Sequence, residues 1–377
     1  MRIFVLGIPH TQTSPEFCSC AFTMKAWNLC RMMIDRGHQV THFGNGGSCP
    51  VCHEQVDIMS REEWSRIYRH PGNGFYDISV DTPERVAFHN LYAERLRAEI
   101  LKRLGPAMDT LICVTWGGAQ REAVLPLWNR AFLVESGIGY PYAWANYRVY
   151  ESYAWLHFML GKEQRVHGDD WYSVVIPNAF DPAMFDFRTD KEDYFLYLGR
   201  LIEAKGVGLA IDVARRLGKR IVIAGQGDPK PYLAPHVEYA GPVGIEERRR
   251  LLAGARALFC PTYYIEPFGG VNVEAQMSGT PVITSDHGAF PETVLHGVTG
   301  FRCRTFEQFL FAAENVHKLR PEDCRKWAMN YSLEKVGAMY EEYFKMVLDL
   351  AGEGFYAPRP ERKQLQWLSR CYPDSDC

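Results

Sequence analysis

Short apolar runs rich in β-branched and aromatic residues alternate with longer stretches of helical period, the pattern of parallel sheets with crossover helices. The alternation occurs twice. In the first half the runs predict strands at residues 3–7, 39–43, 110–115, 130–135 and 171–176. A helix over residues 21–36 ends at Gly37, a residue suited to a helix C-cap, and "HQVTHFG" follows at once as the next strand. In the second half "DYFLYLG", "KRIVIAG", "ARALFCP" and "TPVITSD" read as buried strands, with helical segments such as 208–217 and 245–254 between them. Each run closes on Gly, Pro or Asp, where a βα turn belongs.

Between the halves "IPNAFDPAMFDFRTDKED" has two prolines, five acidic residues and no sustained period, and reads as a linker. The pattern divides the chain into a first α/β domain over residues 1–180 and a second over 190–332. A helix follows at 333–351, within a helical stretch running from about 305 to 350, and then a Pro- and Arg-rich tail at 352–377. Two doubly wound domains facing each other would turn the carboxyl ends of both sheets toward one interdomain cleft, where such sheets bind ligands.

Composition narrows the class. At 47% apolar the chain of 377 residues can bury substantial cores, and a formal net charge of −3 gives no global attraction to nucleic acid or anionic lipid. The apolar run at 3–8 is too short for a signal-peptide core or a membrane span. Eleven cysteines, an odd number dispersed along the chain, point to a reducing compartment, with cytoplasm the default.

Candidate chemistry concentrates in the second half. In "YYIEPFGGVNVEAQMSGTPVITSD" Glu266 and Glu274 stand eight positions apart, with Gly269 and Gly270 at an expected helix start. Free N–H groups there suit phosphate oxygens or hydroxyls, and Glu274, one turn into the helix, can accept from a diol. The plainer alternative is two surface carboxylates and a chain-turning glycine pair. In "YLGRLIEAKG" Arg200 and Lys205 follow a strand and precede a helix, where positive charge is disfavoured by the helix dipole. Such a pair suits a diphosphate leaving group and gains value as charge develops on it.

Together "VIPNAFDPAMF", "YLGRLIEAKG", "IVIAGQGD" and "EPFGGVNVEAQMSGTPVITSDHGAFPETVLHGVTGF" resemble the retaining GT-B glycosyltransferases of family 4, over about residues 175–301. The resemblance implies an α/β chain of two Rossmann-like parallel-sheet domains. It implies a metal-independent hexosyltransferase without a cofactor, moving a hexose such as glucose from a nucleotide sugar such as UDP-glucose to an acceptor hydroxyl with retention. On this likeness Arg200 and Lys205 hold the diphosphate, and Glu274 holds the ribose. Glu266 acts on the donor sugar with the backbone of Phe268, Gly269, Gly270 and Val271, while Gly225 and Gly227 border the base. In this family a terminal helix commonly returns to the first domain, and 333–350 is the segment suited to that.

The first half departs from the family pattern: Glu135 and Ser136 stand where a His is common, and His10 follows the first strand. These three are the acceptor-side candidates, against ordinary structural roles. The first half is also similar to glycosyltransferases of phages and environmental viruses, some of which modify hydroxymethylated DNA, so the acceptor alternatives are a small molecule or glycan, a lipid and such DNA. A DNA acceptor calls for a basic groove, for which "RLRAEILKR" (95–103) and "RPERK" (359–363) are the compact sources. The aromatic run at 139–158 suits either stacking or core. A reading of another class is a non-catalytic nucleotide-sugar or glycan-binding module. Finally, "CPVCH" at 49–53 lacks the context for haem attachment, but Cys18, Cys20, Cys49 and Cys52, with His53, could close a structural zinc site beside the first two strands.

Overall fold

The computed structural model describes residues 1–68, 79–165, 171–352 and 354–355. The chain forms two compact units. The first holds the described residues up to Ala179 with those from Leu333 onward, and the second Phe180–Ser332.

In the first unit the order is β1 (Arg2–Leu6), α1 (Ala21–Asp35), β2 (Gln39–Asn45), β3 (Glu54–Met59), α2 (Arg61–Ile67) and α3 (Pro83–Arg103). There follow β4 (Thr110–Val114), α4 (Gly117–Val124), β5 (Phe132–Ile138), β6 (Tyr147–Tyr150), α5 (Tyr153–Lys162) and β7 (Ser173–Val175). All pairings are parallel, in the order β3-β2-β1-β4-β5-β6-β7. The alternation of the strands decides the layers: Phe4 and Leu6 of β1 and Ile112 and Val114 of β4 share a core with Phe88, Tyr92, Leu96 and Ile100, the four-residue stripe of α3.

The second unit runs β8 (Phe195–Leu198), α6 (Val207–Arg216), β9 (Ile221–Ala224), β10 (Val237–Gly241), α7 (Ile245–Gly254) and β11 (Ala257–Cys260). It continues through α8 (Gly270–Met277), β12 (Val282–Ser285), α9 (Phe290–Thr293), β13 (Gly300–Cys303), α10 (Phe306–Asn315) and α11 (Pro321–Ala328). Its sheet is again parallel, in the order β10-β9-β8-β11-β12-β13. Phe195 and Tyr197 of β8 pack with α6 and α10, whereas Leu196 and Leu198 pack with Leu251 and Leu252 of α7 and Ala275 of α8. After this unit α12 (Leu333–Leu348) packs on α1, where Arg36 Nε donates to Glu341 at 2.8 Å.

Four strands escape the sequence reading: β3, β6, β10 and β13. β3, β10 and β13 are edge strands and β6 lies next to an edge, and β6, "YRVY", sits inside the aromatic run. The predicted strand at 130–135 is displaced to Phe132–Ile138. The stretch that reads as a linker is not free chain from Phe180 on: Phe180 stacks on Phe268 at 6.2 Å and Phe185 packs beside it. The helical stretch at 305–350 consists of α10, α11 and α12, interrupted before Pro321 and at Ser332, and the helix expected at 333–351 is α12, Leu333–Leu348. The tail at 356–377, including 359–363, lies outside the described residues.

In each sheet the chain winds outward in both directions from a central strand pair, β1/β4 in the first and β8/β11 in the second. Ligands of open parallel sheets bind beyond the carboxyl ends of the strands at such a switch point.

Candidate active site

In the second unit the loop after β8 carries Arg200 and Lys205, and the loop after β11 carries Glu266, so both flank the switch point. Lys205 Nζ lies 2.7 Å from Glu266 Oε2, with Thr262 Oγ1 3.4 Å from the same oxygen and the Tyr264 ring 4.9 Å from the ammonium. Both partners are largely buried, their side chains retaining 18% and 11% of their exposure. Burial alone would lower the Lys205 pKa; the adjacent Glu266 carboxylate outweighs it and the value is raised, so the lysine is a fixed cation. Arg200 is exposed and makes no ion pair among the described residues, while its carbonyl accepts from Tyr197 Oη at 2.7 Å, which pins the loop.

Two glycines allow this packing. Gly206 has φ +71°, and a Cβ there would stand 2.1 Å from the Pro261 carbonyl oxygen; Gly225 has φ +144°, and its Cβ would fall 1.9 Å from that of Gly199. A side chain at either position would force the strand-end loops apart. Gly227, also at positive φ, continues the turn after β9.

The helix expected after Gly269 is α8, with Gly269 as its left-handed N-cap. The Asn272 N–H bonds the Gly269 carbonyl at 2.9 Å, those of Gly270 and Val271 precede any intrahelical acceptor, and the helix dipole favours an anion there. The Phe268 side chain is turned into the core with Val273, Met277, Trp327 and Tyr331, which leaves only its backbone for a ligand. Val271 packs inward as well. Asn272, fully buried in the first turn, has no hydrogen-bond partner for either amide atom among the described residues. Glu274 is bound by Arg248 of α7, whose Nε reaches Oε2 at 2.7 Å and whose Nη2 reaches the same oxygen. The sequence reading missed Arg248: it lies in "EERRR", which carries no signal for which arginine reaches α8.

In the first unit the acceptor-side candidates are buried. His10 is packed edge-on against Trp116 at 4.7 Å, and burial, helped by His89, lowers its pKa to about 3. Glu135 accepts from Tyr140 Oη and from the N–H groups of Trp144 and Ala145, each at 2.8 Å. Burial raises its pKa, and these bonds oppose the rise. Each oxygen thus has at least one donor from the loop, and Glu135 pins residues 140–145. Ser136 is likewise buried, beside the Cys113 thiol.

The strand ends of this unit are tied together by Lys25 of α1, which bonds the Gly137 carbonyl at 2.9 Å and is ion-paired with Glu151, itself bonded by Asn178 at 2.9 Å. The aromatic run divides: Tyr140, Tyr150 and Trp155 are core, and Tyr142 and Tyr153 are exposed.

The proposed zinc cluster is corrected. Among the described residues no three His, Cys, Asp or Glu converge on a point, and Cys18, Cys20, Cys49 and Cys52 form no disulfide there. His53 is occupied elsewhere, its Nδ1 accepting from the Val40 N–H at 3.2 Å. The basic segment 95–103 is likewise not an open groove. Arg95 pairs with Glu63, Arg103 with Glu54 and Glu99, and Lys102 with Glu99, while Arg97 bonds the carbonyls of Glu122 and Ala123. Among the described residues no helix is long and apolar enough to cross a membrane.

Residues 182–327 match the family model of glycosyl transferases group 1. The matched stretch lies within the second unit and contains Arg200, Lys205, Glu266 and Glu274. Glycogen synthase of Mycobacterium tuberculosis is 36% identical over 149 residues, covering 34% of this chain and 36% of that protein, so the match spans about a third of the relative's length.

The fold is GT-B. Among solved structures, AviGT4, a glycosyltransferase involved in avilamycin A biosynthesis, superposes with a TM-score of 0.68 at 21% identity, covering 92% of this chain and 98% of that one. HepE of Anabaena, solved in complex with UDP-glucose, does so with a TM-score of 0.63 at 14% identity, over 91% and 98%.

Proposed function

We propose that this protein is a retaining, metal-independent glycosyltransferase that moves a hexose, glucose in the first instance, from a nucleoside diphosphate sugar such as UDP-glucose to an acceptor hydroxyl. The observation that carries the reading is the Lys205–Glu266 pair at the switch point of the group 1 domain. A cation held charged in a largely buried site, beside a helix N-terminus and an Arg200 that has no ion pair among the described residues, is an arrangement for a diphosphate. The match of residues 182–327 to glycosyl transferases group 1 and the UDP-glucose bound by HepE support the same reading.

In the proposed step the bond between the anomeric carbon and the phosphate oxygen breaks, and its electron pair goes to the diphosphate. The acceptor oxygen forms the new bond on the same face, and its proton passes to the departing phosphate oxygen. Lys205 and Arg200 take up the charge that grows on the leaving group, where preorganised charge contributes most. Glu266, released from Lys205 as the phosphate claims the ammonium, accepts from a sugar hydroxyl. Glu274 accepts from the ribose.

The test is incubation of the purified protein with labelled UDP-, ADP- and GDP-hexoses against glycan, lipid, small-molecule and hydroxymethylated DNA acceptors, with and without EDTA. Transfer that survives EDTA and keeps the donor's anomeric configuration by NMR is expected. An inverted product or dependence on added divalent metal overturns the mechanism. Absence of both transfer and donor hydrolysis, with sugar nucleotide still bound, would favour the binding-module alternative.

A further inference from the structure

We infer that Arg248 is a positioning residue for recognition of the donor's ribose: it fixes the orientation of Glu274 and places a countercharge beside it without touching the nucleotide. The inference rests on the proposed reading of Glu274 as the ribose acceptor.

The run Arg248-Arg249-Arg250 of α7 sends its side chains to three different partners. Arg249 pairs with Asp186 and Arg250 with Glu247, both exposed or nearly so. Arg248 alone of the three reaches α8. Its Nε and Nη2 converge on Oε2 of Glu274, and the two side chains retain 19% and 15% of their exposure, which makes this the most enclosed pair on α7.

Two consequences follow. First, a glutamate has three side-chain torsions, the last one broad, and an unheld carboxylate at the end of α8's first turn would sample several directions. A planar guanidinium gripping one oxygen removes that freedom before the ligand arrives, so the cost of ordering is not charged to binding. Oε1 receives no bond from Arg248 and keeps its lone pairs for hydroxyl donors. Second, a bare carboxylate near a diphosphate would repel it through a half-buried, weakly screened path. Paired with Arg248, Glu274 presents hydrogen-bond acceptors with its charge offset.

The experiment compares, within each protein, calorimetric binding of UDP, ADP and GDP with that of their 2′,3′-dideoxy forms. The ratio of the two affinities reports the ribose hydroxyls alone, so any general loss of stability or of diphosphate binding cancels. In the unaltered protein the preferred nucleotide is expected to bind about 30-fold more tightly than its dideoxy form. Arg248→Ala should bring that ratio below about 3-fold while binding of the dideoxy nucleotide changes little, and Arg250→Ala should leave it intact. Arg248→Lys, which keeps the charge and loses the fork, should fall between, and it carries the test if Arg248→Ala does not fold.

A ratio unchanged in either Arg248 variant overturns the inference and leaves the ribose role of Glu274 standing. A ratio near one in the unaltered protein overturns that role, and the inference with it. Binding of none of the three nucleotides overturns the proposed function itself.

Discussion

At the switch point of the second unit the side chains are charged and incompletely buried: Lys205, Glu266, Glu274 and Arg248 keep between 11% and 19% of their exposure, and Arg200 is open. At that of the first unit, built on the same strand pattern, residues 7–14 are buried throughout and close on themselves. There Asn45 Nδ2 bonds the carbonyls of Ile8, Pro9 and Thr11, and Gln120 bonds those of Leu6 and Gly7. His42 sits between Gln55 at 2.6 Å and Thr13 at 3.0 Å. One topology thus supports two uses of polar residues. In the first unit most of them bond the loop's own backbone and fix it, although Asn45 Oδ1 and Ser14 Oγ have no partner among the described residues; in the second, charged side chains stay partly exposed at the strand ends. Satisfied buried networks specify structure, whereas half-committed charges at a sheet's carboxyl edge are what chemistry needs.

The contrast predicts that charge removal in the first unit acts on stability and in the second on turnover. The largest effect is expected at Lys25. Below pH 7, where Lys25 is charged although burial lowers its pKa to about 7, truncation to Ala leaves Glu151 buried with the Asn178 amide in place of a cation, at a cost of about 3–5 kcal/mol, the usual penalty for breaking a buried pair. Urea unfolding checks this; a loss below 1 kcal/mol would show that the pair is not the clasp described here. Next in size, Lys205→Ala should lower kcat by roughly 10²–10³-fold, as for loss of one transition-state charge contact. Its unfolding midpoint should move less than that of Lys25→Ala. Equal kcat in a folded variant breaks the assignment.

The two units should also differ toward acid. The pKa of His10 is lowered to about 3 and that of His42 to about 4, both principally by burial. A histidine whose folded pKa lies below its unfolded value of about 6.5 stabilises the fold above that value, and its contribution is lost as pH falls toward the folded pKa. Each should subtract about 1.4 kcal/mol per pH unit once the pH is well below 6.5. Hydrogen exchange at pH 7 and pH 5 should therefore show strands β1 and β2 losing protection before β8 and β11. Simultaneous loss would mean that the histidine environments do not control the first unit. The smallest effects belong to α3: Arg95→Ala and Arg103→Ala should each cost no more than about 1 kcal/mol, as exposed pairs do, and leave retention on duplex DNA unchanged. A marked drop in retention would revive a DNA acceptor.

Much of the second unit was legible because its signals are local. Gly206, Gly225 and Gly269 all sit at positive φ, a local demand that favours glycine, although what a side chain at Gly206 or Gly225 would strike belongs to a neighbouring loop, and "EPFGG" leads into a helix. Glu135 and Arg248 were not legible in the same way. A glutamate at a strand end looks the same whether it faces a ligand or three donors of its own loop, and an arginine in a charged run looks the same whether it meets solvent or Glu274. The thiols near the second strand illustrate the reverse error. Their spacing along the chain suits a metal, but Cys20 is buried at the start of α1 and Cys49 is exposed.

The sequence by itself determined the alternation of strands and helices, the two parallel sheets and the position of the switch-point loops, because apolar period and glycine placement act over a few residues. Only the tertiary structure decided which polar groups are spent on one another and which remain available. Hydrogen bonds and ion pairs join residues 26 to 126 positions apart, as Arg248 to Glu274 and Lys25 to Glu151 do, and no local pattern records which partner each side chain has met.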